Sequence, residues 1–524
     1  MQYFVLRSIA RLRSIETIRR AVSRARTIGF SRQKIAQRRA RKLIEIGNFN
    51  AAAAELESVD TKSIQTWRML LNCYFTTHHF ERVILAYEAM SQSFQCDLTC
   101  RHLYLTAAAN LKSFNLVERV FEDILRKPSS LHAATLLCKV RPLAERIGPA
   151  VHAATIARII SYKDLLVEEQ FDAILKCAHD LRERNWSAEA DELERPLRRK
   201  ADNARRKMKL SIYDAQIEFW SGNFSRQLAA VNEVLTRQGI DPVRLKNELI
   251  PLSCENLMPG VKGHEVIGGP LVSILMPAYN SANTILHALE SLRDQTYRNI
   301  EVIVVDDASS DETSRIAAHF SATDPRFRCL SLDRNSGAFI ARNRALAIAK
   351  GEYVTNQDSD DWAHPQKIAT AVAELQQDQS IAATWVEHIR CSKLRGFRAL
   401  NGYFRPDASS LMFRREPVMR KIGWYDSVRA AGDGEFHLRL ERAFGRASIR
   451  RINKLLSFVG WSDTSLSGGG AFQIDSDLGL FSPDRSAYRR SFGLWHETTD
   501  RLYMPFPLDR RPFSAPEKLI APSL

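Results

Sequence analysis

From Pro270 onward, short runs rich in Val, Ile and Leu alternate with helix-like stretches, and the runs end in polar or acidic residues. Residues 271–276 and 300–305 read as buried strands and 327–332 as a further strand, while 283–294, 311–320 and 337–349 carry helical spacing. This alternation predicts βαβ units, which means a mostly parallel sheet with helices on both faces. Such sheets bind ligands outside the carboxyl ends of their strands. The residues expected there are Pro277, Ala278, Tyr279 and Asn280, then Asp306 and Asp307, then Asp358, Asp360 and Asp361.

The last group follows a strand-like lead-in at Tyr353 and Val354. Carboxylates this close repel one another unless a cation compensates them, and Mg²⁺ or Mn²⁺ held by one or two carboxylates keeps positions open for substrate phosphates. The plainer reading is an acidic turn that starts a helix. A carboxylate at Asp306 or Asp307 can accept hydrogen bonds from a nucleobase or ribose, whereas Ser310 or Asp311 reads as an ordinary helix cap. Arg342 opens a helix and can pair with a diphosphate oxygen; the competing reading is a solvated helix residue.

Five segments in order, around 272–280, 291–297, 301–313, 335–343 and 351–362, resemble the nucleotide-sugar half of family-two, GT-A-type inverting glycosyltransferases. The resemblance covers about 270–465. It implies an α/β fold of Rossmann-like, nucleotide-sugar-binding type. It also implies that Pro277, Ala278 and Tyr279 line the nucleotide pocket, that Asp307 contacts base or ribose, and that Asp358 and Asp360 form a DxD motif holding a divalent metal, Mn²⁺ or Mg²⁺. An acceptor half is implied as well, with 408–413 as a strand and a helix opening at 431. There the family carries an acidic residue that serves as base. This chain offers Asp433 and Glu435, separated by Gly434 in place of the commoner adjacent Glu-Asp pair. Asp433 is preferred and Glu435 is the alternative. The Gln/Arg-x-x-Arg-Trp signature of processive synthases is absent from this region, which favours transfer of one or a few sugars in polysaccharide or glycoconjugate synthesis.

Ahead of this region, 36–250 reads as helical, a degenerate tetratricopeptide-like solenoid. Its turns carry Phe49, Phe80, Phe114 and Phe224, and the first three stand 31 and 34 residues apart. It is a candidate surface for a protein partner. Residues 251–269, rich in Pro and Gly, read as a linker. The net charge is +15, and residues 1–45 hold 13 Lys and Arg against Glu16 and Glu45. The basic helical segment 1–35 is a candidate for peripheral membrane contact; no motif points to nucleic acid. Eight scattered cysteines without a CxxC pair argue against a zinc site or disulfide framework and fit a reducing compartment. With no secretory leader read at the start and no apolar run long enough to span a bilayer, the expected location is cytoplasmic, with peripheral contact at the inner membrane face. In the tail, 466–524, Gly468, Gly469 and Gly470 read as a hinge and the Pro-rich end as a strap on another domain. The expected acceptor is a glycan, a lipid-linked sugar or a protein. Two other functions fit parts of the chain: a metal-dependent nucleotidyltransferase, or a helical scaffold carrying an inactive transferase fold.

Overall fold

The computed structural model describes residues 32–522, apart from 60–61, 128–129, 400–401, 462–471, 473 and 476–479. Most of the basic segment and the Gly468–470 hinge lie outside the described residues. The chain forms two compact units, one built from residues up to Val120 with Gly493–Thr498, the other from Phe121–Phe492 with Thr499–Leu524. No helix among the described residues is long and apolar enough to cross a membrane.

The first unit is helical: Arg32–Glu45, Phe49–Glu57, Ile64–Thr76, Phe80–Glu88 and Leu98–Asn110 pack around Leu56, Leu71, Tyr74, Val83 and Tyr104. One turn recurs through the helical part of the chain. Gly47, His78, Lys112, Asn185 and Gly222 take left-handed φ values of 74, 59, 57, 64 and 71°. In each case the next N–H reaches back five residues, as in Asn48 to the Leu43 carbonyl and Asn223 to the Glu218 carbonyl. That bond closes a helix end and turns the chain for the next helix. The turn at Asn185 escapes the sequence pattern because its aromatic, Trp186, sits one place early, at the N-cap.

The second unit holds one large sheet. Its strands are β1 (Val272–Ala278), β2 (Ile300–Asp306), β3 (Phe327–Ser331), β4 (Tyr353–Asn356), β5 (Trp362–Ala363), β6 (Ala383–Ser392), β7 (Gly396–Arg398), β8 (Arg405–Pro406), β9 (Met412–Arg414) and β10 (Ile449–Gly460). The order is β3-β2-β1-β4-β9-β6-β10-β5, with β7 and β8 added to β6. β1 to β4 pair in parallel. β1, β2 and β4 are buried along their whole length, as strands covered on both faces must be. β9 then runs antiparallel to both β4 and β6, so β4 and β6 point the same way. The sheet is therefore mixed, and the carboxyl ends of β1, β2, β4 and β6 share one edge.

Helices α1 (Ile285–Arg293), α2 (Thr313–Thr323), α3 (Ala338–Ile348), α4 (Lys367–Gln377), α5 (Arg415–Ile422) and α6 (Gly432–Phe444) cover the sheet. Phe413, Tyr425 and Phe436 centre the core under α6, with the Tyr425 and Phe436 rings stacked 4.2 Å apart. Three details differ from the sequence reading. The strand expected over 408–413 begins only at Met412; Asp407 caps a 3₁₀ turn at Ala408–Ser410. Part of 251–269 is ordered, since Leu257–Pro259 pairs with Val243–Leu245. The tail strap binds the large sheet's own unit: Trp424 donates to the Met504 carbonyl, Ala521 to that of Ser427, and Arg511 and Tyr488 clamp the buried Asp426 carboxylate.

Candidate active site

At the end of β1, Pro277 and Ala278 pair with Val305 and Asp306 of β2. Tyr279 then leaves the sheet and presents a half-exposed ring beside the strand ends. Asn280 takes φ 47°. Its side-chain oxygen accepts from the Ser310 N–H at 2.9 Å, and its own N–H donates to Ser309 Oγ, so it fastens the loop that follows β2.

The two carboxylates ending β2 are used differently. Asp307 accepts the N–H groups of Ser336 and Gly337, both at 2.7 Å, and so closes the turn that starts α3. Burial raises its pKa while those bonds oppose the shift. Asp306 is buried and its Oδ1 has no hydrogen-bond partner among the described residues. A buried polar atom left open at a strand end is where a ligand donor fits.

β4 feeds the acidic turn. Arg342 of α3 pairs with Asp358 at 2.5 Å, so a protein carboxylate engages its guanidinium. The Asp360 carboxylate accepts no side-chain hydrogen bond among the described residues, and burial followed by the Asp358 charge pushes its pKa up to about 6. Asp361 is buried and accepts the Gly460 N–H at 2.9 Å. Its pKa is held well above the ordinary carboxylate range, first by burial and then by Asp360 and Asp358. Gly460 has to be small, because a Cβ there would sit 2.8 Å from the Asp360 carbonyl oxygen. Asp360 thus offers a hard oxygen ligand with no ion pair among the described residues, Asp358 offers one whose charge it shares with Arg342, and the residues present fit Mg²⁺ or Mn²⁺. His179, Asp180 and Glu183 also converge, but Arg141 and Lys176 already hold Asp180, and the Tyr403 hydroxyl holds His179.

Asp433 stands at the start of α6, exposed and without a hydrogen bond or ion pair among the described residues. Ala431 reaches this position with φ 67°, and Gly432 lets the helix approach Phe339, whose ring a Cβ would meet at 3.0 Å. Arg342 feels the charges of both Asp358 and Asp433, which puts the acidic turn and the start of α6 at one site. Glu435 lies apart from that mouth. It is fully buried, and Arg439 bonds both its oxygens at 2.7 and 2.8 Å.

Sequence reasoning missed several neighbours. Lys367, Asp407, His388 and Arg390 gather on the sheet beside Asp361. Arg485, from the helix Pro483–Thr498, lies near Asp433. An open cavity of about 360 Å³ lined by Lys350, Glu352, Arg414, Arg415 and Glu416 sits at the opposite, amino end of β4, away from the edge where such sheets bind ligands.

The strand order and the convergence of acidic groups at the carboxyl edge define a nucleotide-sugar-binding sheet of the GT-A class. Residues 273–428 match the model of Glycosyl transferase family 2, so the chain carries a family-2 glycosyltransferase domain. Chondroitin synthase of Escherichia coli is 31% identical over 198 residues, 36% of this chain and 28% of that protein. Glycosyltransferase GlyG of Streptococcus pneumoniae is 38% identical over 107 residues, 20% of this chain and 36% of that protein. The chain thus spans little more than a third, at most, of either relative's length. Among solved structures, TarS of S. aureus in complex with UDP aligns at TM-score 0.30 and 22% identity, covering 37% of this chain and 61% of that one.

Proposed function

We propose that the chain transfers a sugar from a nucleotide-sugar donor to an acceptor hydroxyl, with inversion at the anomeric carbon, in polysaccharide or glycoconjugate synthesis. The observation that carries this reading is the unpaired Asp433 carboxylate sharing Arg342 with the acidic turn at Asp358. Asp306 receives the base or ribose through its open Oδ1, and the Tyr279 ring supplies an apolar face beside it. Asp358 and Asp360 hold a divalent cation, which when bound neutralises the diphosphate leaving group. Asp433 takes the proton from the acceptor hydroxyl as its oxygen attacks the anomeric carbon and the bond to the diphosphate breaks on the opposite face. Glu435, already neutralised by Arg439, instead positions α6. The helices ahead of residue 250 serve a protein partner.

The test pairs two variants in a metal-dependent assay with a panel of sugar nucleotides. Asp433→Asn should lower transfer by roughly 10²- to 10⁴-fold, the usual worth of a general base, while donor binding with Mn²⁺ persists. Asp360→Ala should lose metal-dependent donor binding itself. Full transfer by Asp433→Asn would remove it as base.

A further inference from the structure

We propose that this site takes a sugar substrate bearing an anionic group besides the donor diphosphate, a carboxylate or a phosphate, and that Arg390, flanked by Arg398 and Arg405, receives it. The proposal rests on the transferase reading above and names the substrate class of that site.

The placement follows from strand register. His388 and Arg390 are two apart on β6 and so share a face. β7 sets Arg398 directly across from Arg390, and β8 sets Arg405 across from His388. Residues paired across strands also share a face, and like charges directly opposite one another destabilise the sheet. β4 and β6 are parallel, so Arg390, near the carboxyl end of β6, lies on the same edge as the acidic turn. That turn leaves β4 and rejoins the sheet as β5, beyond β10. Residues 357–361 must therefore cross the ends of the strands between, β6 among them.

Arg390 makes no ion pair or hydrogen bond among the described residues, and its Nε is buried without a partner. Burial, then Arg398 and Arg405, hold its pKa below the usual guanidinium range; Asp361 and Asp407 act against this. Both of those carboxylates are already committed. Asp361 takes the Gly460 N–H. Asp407 takes the Ser409 N–H at 3.1 Å and lies 3.9 Å from the ammonium of Lys367, itself buried. Glu387 cannot help, because it is held by Arg205 and Arg451.

Polar groups are also left open around this cation: His388 Nδ1 and Gln357 Nε2 are buried without hydrogen-bond partners among the described residues. Native structures rarely strand so many polar atoms together unless water or a ligand completes them. Trp461, just past β10, lies under Arg398 and Arg395 at 4.6 and 5.1 Å, and its indole N–H is likewise unpartnered. A half-buried cation beside open polar groups suits a ligand that combines an anion with hydroxyl groups, as an acidic sugar does.

The experiment uses the full chain with Mn²⁺. Donor binding is measured by calorimetry for a nucleotide-linked uronate and for the neutral hexose on the same nucleotide. Transfer is measured to acidic and to neutral oligosaccharides. Arg390→Gln should weaken use of the acidic member of one pair by roughly 10- to 100-fold, the range for a charged hydrogen bond, and leave the neutral member within about twofold. Loss on the donor arm assigns the anion to the transferred sugar; loss on the acceptor arm assigns it to the acceptor. Arg390→Gln should also melt no lower than the wild type, since it removes a half-buried charge with no ion pair among the described residues. Arg398→Gln should follow the same selectivity with a smaller drop, and it decides the matter if Arg390→Gln does not fold. Equal loss on acidic and neutral substrates, or no loss on either, overturns the proposal. A wild-type chain that binds neutral sugar nucleotides but has no use for an acidic donor or acceptor overturns it alone; one that binds no sugar nucleotide at all overturns the transferase reading with it.

Discussion

The two halves of the large sheet build their shares of the site by different means. In the nucleotide half, β1, β2 and β4 are parallel and continuously buried, and each delivers its functional residues at its own end. Asp306 follows Val305 and the acidic turn follows Asn356, so local sequence sets position. In the acceptor half the pieces are short and come from distant parts of the chain. The segment Gly423–Asp433 is held by Asn343 of α3, by Met504 and Leu519 of the tail, and by Arg511 on Asp426. Where strands are long and parallel, a site residue needs only its strand. Where they are short and antiparallel, it needs clamps, and removing a clamp damages stability and catalysis together.

The sharpest break between clamp and site is at α6. Glu435→Gln leaves the Arg439 guanidinium buried with the Ile422 and Trp424 carbonyls but no counter-charge. Removing one partner of a buried pair costs about 3–5 kcal/mol. Glu435→Gln should therefore lower the midpoint of denaturant unfolding markedly, while Asp433→Asn, two residues away and exposed, should leave it unchanged and still lose transfer. Unchanged stability in Glu435→Gln together with lost transfer would make Glu435 a site residue and erase the distinction.

That contrast also governs what the sequence makes legible. The parallel strands, their order along the chain and the acidic residues at their ends are readable because burial on both faces leaves near-continuous apolar runs. The use made of each residue is not. Asp307 looks like a free ligand for a ribose, but its partners, the Ser336 and Gly337 N–H groups, lie 29 and 30 residues on. Arg342 reads as a phosphate ligand, yet Asp358 holds it. His388, Arg390, Arg398 and Arg405 meet only through the register of three strands, two of them no more than three residues long. No periodicity marks strands that short, and the strand expected to begin at 408 has the same cause: Leu411-Met-Phe is apolar, while the polar Asp407 cap that precedes it is what the backbone obeys.

The outer edge of the acceptor half offers a test by acid. His364, beside Trp362 of β5, is fully buried and held at both ring nitrogens: Nε2 meets the Asp241 carbonyl at 3.0 Å, and Nδ1 accepts the Gln366 N–H at 3.2 Å. Burial pushes its pKa from 6.5 down to about 4. The unfolded chain thus binds a proton that the folded chain refuses. This contribution to stability is fully present above pH 6.5 and is lost as pH falls toward 4, by roughly 3 kcal/mol at most. His364→Gln should flatten that part of the stability–pH curve in urea unfolding; an unchanged slope would place the acid sensitivity elsewhere.

The smallest effect expected is at the stitch between the halves. Asn343 of α3 donates through Nδ2 to the Tyr425 carbonyl at 2.9 Å and accepts the Tyr425 N–H through Oδ1 at 3.0 Å, all buried. Its neighbour Arg342 holds the acidic turn, while Tyr425 packs on Phe436 of α6. Asn343→Ala strands a backbone N–H and a carbonyl, for a loss of about 1–3 kcal/mol. If the halves are built independently, transfer should survive in proportion to the folded fraction. If Asn343 sets the distance between Asp433 and the donor, kcat should fall several-fold in fully folded protein while donor binding stays put, because a misplacement near 1 Å can cost about 100-fold in rate. The second outcome is expected, since Asn343 ties α3, which carries Arg342, to the clamped segment that leads into α6.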